Sequence, residues 1–155
     1  MKLLVDTSVW SLALRRKAAA SLSPDEQKLK AELVRAIQDG RVAMLGLLRQ
    51  EILSGIKEKA QFDRVKAALD AYIDEPIDSK DHEYAARLYN ACRNQGVEAG
   101  TVDMLICALA GRRGWEVLSS DVSLNRCLAV TRQFHEEDNR AASTEAVKAR
   151  RTLSK

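Results

Sequence analysis

Apolar residues along this chain fall alternately into short runs and into helical stripes. Lys2 to Val5 is a brief apolar run that predicts a buried strand, closed by Asp6. Thr7 or Ser8 then caps a helix carrying Val9, Trp10, Leu12 and Leu14, and Ala18 to Ser23 reads as a loop of small residues. Ser23-Pro24-Asp25-Glu26 is a strong helix start. Ser23 caps, Pro24 suits the first helical position, and Glu26 closes a capping box. Leu29, Leu33, Val34 and Ile37 make the apolar stripe that follows, and Gly40 ends it in a left-handed conformation.

Arg41 to Leu45 predicts a second short strand. Helices follow over about Leu47 to Leu53, broken near Gly55, and over Lys57 to Tyr72. Tyr84, Ala85, Leu88, Tyr89 and Cys92 mark a further helix closed by Gly96. Thr101 caps and opens another, with Val102, Leu105, Ile106, Leu109 and Ala110 on its apolar side and Gly114 at its end. Trp115 to Leu118 is the last clear strand. Ser119-Ser120-Asp121 is its exit, and Val122 to Val130 is a short helix; an edge strand over Val130 to Phe134 stays open. The expected domain covers residues 1–134. Residues 135–155, with only Val147 and Leu153 strongly apolar, are expected to be a polar tail, mobile or a frayed helix.

Strands alternating with helices predict an α/β domain with a central, mainly parallel sheet. In open sheets of that kind ligands bind beyond the carboxyl ends of the strands. Asp6 and Asp121 both stand at such ends. Asp103 lies in the first turn of its helix, beside the stripe of Ile106 and Ala110, and Glu51 borders the stripe of Leu48, Ile52 and Ile56. Each acid has an ordinary explanation: a helix cap for Asp6 and Asp121, a helix-dipole acid for Asp103, an exposed helix acid for Glu51. Together they change the picture. Four carboxylates meeting in one crevice repel one another unless something positive joins them. A hard divalent cation such as Mg²⁺ or Mn²⁺ supplies that charge to an all-oxygen site.

Composition narrows the classes. The 155 residues are 46% apolar and 30% charged, which excludes a disordered chain and fits one domain. A formal net charge of +3 permits a nucleic-acid partner without demanding one. The basic clusters are short: Arg15 to Lys17, Arg112 and Arg113, Arg150 and Arg151. Cys92, Cys107 and Cys127 share no metal-binding spacing and read as buried thiols of a reducing compartment; with only His82 and His135 besides, structural zinc has too few ligands. No apolar run approaches the roughly 20 residues of a membrane span, and the expected location is cytoplasmic.

The opening Leu4-Val5-Asp6-Thr7-Ser8-Val9-Trp10, the helix acid Glu51, the segment Thr101 to Ala110 around Asp103, and the exit Leu118-Ser119-Ser120-Asp121 resemble the PIN-domain family, and within it the VapC toxins of toxin–antitoxin pairs. The resemblance runs from Met1 to about Cys127. It implies an α/β fold in three layers, α/β/α, and Mg²⁺- or Mn²⁺-dependent endoribonuclease activity, with RNA as substrate. It also implies a homodimer and a VapB-type antitoxin as partner. By the same resemblance Asp6, Glu51, Asp103 and Asp121 are the catalytic, metal-holding quartet, and Ser119 and Thr7 are placed to support a carboxylate by hydrogen bond. Leu124 departs from the family pattern, which often has Phe there, and the tail beyond Phe134 has no counterpart. Two other readings stay open. One is a non-catalytic RNA- or protein-binding module on the same fold. The other is a phosphatase with an aspartyl nucleophile, which wants a second Asp where Ser8 stands.

Overall fold

A computed structural model describes residues 1–14 and 21–154. Three short strands form the sheet: β1 (Leu3–Val5), β2 (Val42–Ala43) and β3 (Glu116–Leu118), in the order β2-β1-β3 and parallel throughout. All three residues of β1 are buried, as expected for the middle strand of a sheet covered on both faces. The helices are α1 (Thr7–Leu14), α2 (Pro24–Gln38), α3 (Gly46–Ser54), α4 (Lys59–Leu69), α5 (Ser79–Asn94), α6 (Thr101–Arg113) and α7 (Val122–Leu153). They flank the small parallel sheet, so the three-layer expectation holds. A single bridge between Met44 and Asp74 extends β2 outward, an addition that no hydrophobic run announces.

Local chemistry sets most boundaries. Ser23 and Glu26 form the expected capping box on α2, and Gly40 follows it with φ 64°. Asp78 and Asp81 build a second box at the start of α5, and Gly114 closes α6 with φ 65°. Helix α6 is the centre of the core. Met104 to Ala110 are all buried, because α5, α7 and β3 cover it on several sides. Gly111 lets α7 approach; a Cβ there would sit 3.2 Å from Cγ2 of Thr131. Arg49 ties α3 to the chain after α4, with hydrogen bonds to Leu69 O, Tyr72 O and the Asp74 carboxylate.

Several expectations need correction. Helix α7 does not stop at Val130; it runs unbroken to Leu153, so Val130 to Phe134 is helix and no edge strand forms. Thr101 does not cap α6, because Gly100 holds the cap position. Neither Thr7 nor Ser8 precedes α1; both lie inside it, and the carbonyl of Asp6 accepts the N–H groups of Val9 and Trp10. Val34 and Ile37 sit at the exposed edge of the α2 stripe, whose buried members are Leu33 and Ala36. Trp10 belongs to the core, edge-on to Tyr72 at 5.5 Å. The expected loop beginning at Ala18 lies in part outside the described residues, and the basic cluster Arg15 to Lys17 lies wholly outside them. The three cysteines are free and buried. Burial pushes the thiols of Cys107 and Cys127 up to about 12, so neither is a thiolate near neutral pH. No helix among the described residues is long and apolar enough to cross a membrane.

Candidate active site

The parallel register of β1 and β3 assembles the site. Val5 pairs with Leu118, and the Asp6 N–H continues the ladder to Leu118 O at 2.9 Å. The next residues along, Asp6 and Ser119, therefore stand abreast as the two strands end. Asp6 is 6% exposed, and its Oδ2 accepts hydrogen bonds from Ser8 Oγ at 2.7 Å and from Ser119 Oγ at 2.9 Å. Thr7 Oγ1 stands 3.4 Å from the other oxygen, Oδ1. A buried carboxylate with two hydroxyl donors on one oxygen is held in a single orientation.

Ser119 extends the arrangement to the fourth acid. Its Oγ accepts the Asp121 N–H at 3.0 Å, while Asp121 Oδ1 caps α7 through Leu124 N–H at 3.0 Å. Capping engages one oxygen of Asp121, Oδ1, and no hydrogen bond engages Oδ2 among the described residues. Ser8 works in parallel, accepting the Ser120 N–H at 3.2 Å. The sequence reading did not count Ser8 among the site residues. Its signal was a hydroxyl two residues after the first acid, which acquires a role only once β3 lies beside β1.

Asp103 and Glu51 approach from the helices. Asp103 is half-buried in the first turn of α6, and Glu51 is exposed on α3. Burial pushes the Asp103 carboxyl above its ordinary value, the Asp6 charge adds to this, a backbone hydrogen bond at Gly100 opposes it, and Asp121 adds again. Burial likewise raises Glu51, with Asp6 and then Asp103 adding their repulsion and the Thr7 hydroxyl pulling it back. The four acids from four separate stretches therefore share one field. Among the described residues none of the four takes part in an ion pair, so that field is negative and uncompensated. As the side chains stand, no three His, Cys, Asp or Glu groups among the described residues close on a point that one ion would occupy. His82 and His135 lie on α5 and α7, and His135 Nδ1 stands 3.3 Å from the Tyr84 hydroxyl.

Two clefts open beside the acids. One, of about 750 Å³, runs from Asp103 and Asp121 past Gly96 to Gly100 toward Tyr89 and Arg93 on α5. The other, of about 460 Å³, lies between α1, α3 and α4 and brings Glu51 and Thr7 together with Leu14, Ile52 and Val65.

The sequence profile of the PIN domain matches residues 3–127, a span that contains all four acids. The chain belongs to the PIN domain family. Among solved structures this PIN domain is similar to the crystal structure of FitAcB from Neisseria gonorrhoeae, with a TM-score of 0.64 and 16% identity over 83% of this chain and 92% of that one. At that identity the likeness speaks for the fold. No curated protein sequence matches the chain.

Proposed function

We propose that this PIN domain is a metal-dependent endoribonuclease acting as a VapC-type toxin of a toxin–antitoxin pair. The observation that carries the reading is the uncompensated group of Asp6, Glu51, Asp103 and Asp121 at the carboxyl edge of a parallel sheet, in a family whose members are generally metal-dependent nucleases. The donor set fits a hard divalent cation: all the ligating atoms would be carboxylate oxygens, and positive charge relieves the repulsion that adds to burial in raising Glu51 and Asp103. Asp6, Asp103 and Glu51 would hold the principal Mg²⁺ or Mn²⁺ ion, with Asp121 at a weaker or second position. Such an ion supplies Lewis acidity, activating water and offsetting the charge that builds on a scissile phosphate.

The protein's own contribution is orientation. Ser8 and Ser119 fix Asp6 before anything binds, and Ser119 couples that carboxylate to the start of α7 and hence to Asp121. Asp103 rides on the buried helix α6, so its backbone cannot drift. Glu51, exposed and long, is the member free to swing inward and complete the set. The cleft past Tyr89 and Arg93 suits a strand of RNA leaving the acids, with an aromatic face for a base and a guanidinium for a phosphate. The groove beside Glu51 suits an antitoxin segment whose apolar residues pack on Ile52 and Val65 and whose basic side chain reaches the acids. The homodimer follows from the resemblance to VapC proteins.

Purified protein with RNA and Mg²⁺ is expected to cleave, and EDTA to abolish cleavage. Asp6→Asn should cost more than the roughly 10–100-fold that loss of an outer metal partner costs. Full activity in Asp6→Asn would remove the proposal. The ungathered state of the carboxylates favours a second reading, a PIN fold that binds RNA or protein without cutting. RNA binding with no Mg²⁺- or Mn²⁺-dependent turnover would select it.

A further inference from the structure

Helix α7 begins at the acids and ends far from them. Asp138, paired with Arg87 at 2.8 Å, is the last residue of the helix that is even partly covered; residues 139–154 are all exposed. The family match ends at residue 127, so this projecting stretch is an addition to the PIN domain. It is also where the chain's positive charge resides. Arg140, Lys148, Arg150, Arg151 and Lys155 are five of the 25 basic residues, against Glu145 alone of the 22 acids. The remaining 139 residues hold 20 bases and 21 acids, so the net charge of +3 comes entirely from this end.

The charges are ordered. On a helix Arg140, Lys148 and Arg151 fall on one face with Thr144 and Val147, and Arg150 flanks them. Among the described residues none of these four cations has a carboxylate partner. The opposite face is Ala142, Ala146 and Ala149, too small to anchor the helix in an apolar groove. Recognition by this segment is electrostatic, and a chain of phosphates is its complement.

We propose that residues 140–154 are an arm that grips the phosphodiester backbone of RNA at a distance from the bond being cut. The proposal rests on the nuclease reading for the identity of its polyanion. At 1.5 Å per residue, Arg140 and Arg151 stand about 28 and 45 Å along the helix from Asp121. A stacked strand at about 3.4 Å per nucleotide needs roughly 8–13 nucleotides to span that separation. The substrate class is therefore long or folded RNA, held at two places, rather than a short oligonucleotide.

The test uses the full chain carrying Lys148→Gln, Arg150→Gln and Arg151→Gln together, all exposed positions where Gln keeps good helix propensity. Binding of fluorescein-labelled oligoribonucleotides of 6 to 30 nucleotides is followed by anisotropy in EDTA across a salt series. For the 30-mer the slope of log affinity against log salt should fall by about 2, and the affinity near 0.1 M salt by at least about tenfold. Wild-type affinity should climb as the RNA lengthens past roughly 8–13 nucleotides, and the variant should lose that climb. With Mg²⁺ the cleavage defect on the 30-mer should lie in KM rather than in kcat. An unchanged slope and affinity would overturn the arm, as would polyglutamate competing better than RNA, which points to an acidic protein instead. Because the binding assay contains no metal, the two proposals fail separately. Tail-dependent binding without cleavage leaves the arm and removes the nuclease; cleavage with a variant indistinguishable from wild type does the reverse.

Discussion

The two ends of helix α6 both meet carboxylates, and they treat them in opposite ways. At the carboxyl end, Asp81 is completely buried, and its oxygens accept hydrogen bonds from Arg112, from Arg113 Nη2 at 2.9 Å and from the Asp78 N–H at 3.0 Å. Two guanidiniums and a capping box leave that charge with nothing to ask for. At the amino end Asp103 faces Asp6, Asp121 and Glu51, with no ion-paired cation beside any of them among the described residues, and burial, reinforced by their mutual repulsion, lifts Asp103 and Glu51. Burial is not the difference, since Asp6 is nearly as covered as Asp81. Counter-charge is. Under the proposed function the second set, which has no ion-pair partner among the described residues, is held for a charge brought from outside.

Breaking the satisfied end should have the largest effect on folding. Asp81→Ala leaves two arginines facing a void and removes a capping partner. We expect a loss of about 3 kcal/mol in urea unfolding, the low end for a broken buried pair because both guanidiniums keep some solvent. Cleavage per folded molecule should survive; if it falls in step with that of Asp6→Asn, the two ends are not separate in role.

Asp121 sharpens the comparison because it serves both purposes. Asp121→Ala removes the cap of α7 and should cost about 1 kcal/mol, whereas Asp121→Asn keeps an accepting oxygen and most of that stability. Both substitutions should slow cleavage. Equal stability in the two variants would show that the Leu124 hydrogen bond does not hold the helix end.

The smallest expected effect is a gain. An acid held above its ordinary value helps folding while protonated and opposes it once ionised. In metal-free protein Glu51→Gln and Asp103→Asn should therefore stabilise the fold at neutral pH, seen as a higher melting temperature, by less than about 1 kcal/mol for the exposed Glu51. The gain should fade as pH falls to the ordinary carboxyl values of about 4. Added Mg²⁺ should stabilise the wild type and close the gap. A lower melting temperature in both variants would mean that the acids support the fold rather than burden it.

The elements were legible where packing leaves a pattern. β1, β3 and the capped start of α2 could be read because each couples an apolar set to a distinctive boundary, such as Val5 to Asp6 or Ser23 to Glu26. Helix α7 was cut short at Val130 because beyond it only Thr131, Phe134, His135 and Asp138 are covered and positions 139–154 are all exposed, so few apolar residues mark the helix. The Gly100 cap was missed for a related reason: a backbone position that caps without a side chain leaves no mark on the sequence. Ser8 was passed over as a site residue because its hydroxyl bridges to Ser120, 112 positions away.

By itself the sequence determined which acids close the strands, which open the helices, and where the surplus of positive charge lies, because those are properties of single segments. Only the tertiary structure decided which charges meet. The Val5–Leu118 register brings Ser119 to Asp6, and α6 carries Asp103 to one end of the molecule and Arg112 and Arg113 to the other. Electrostatic interaction depends on distance in space, and folding alone sets those distances.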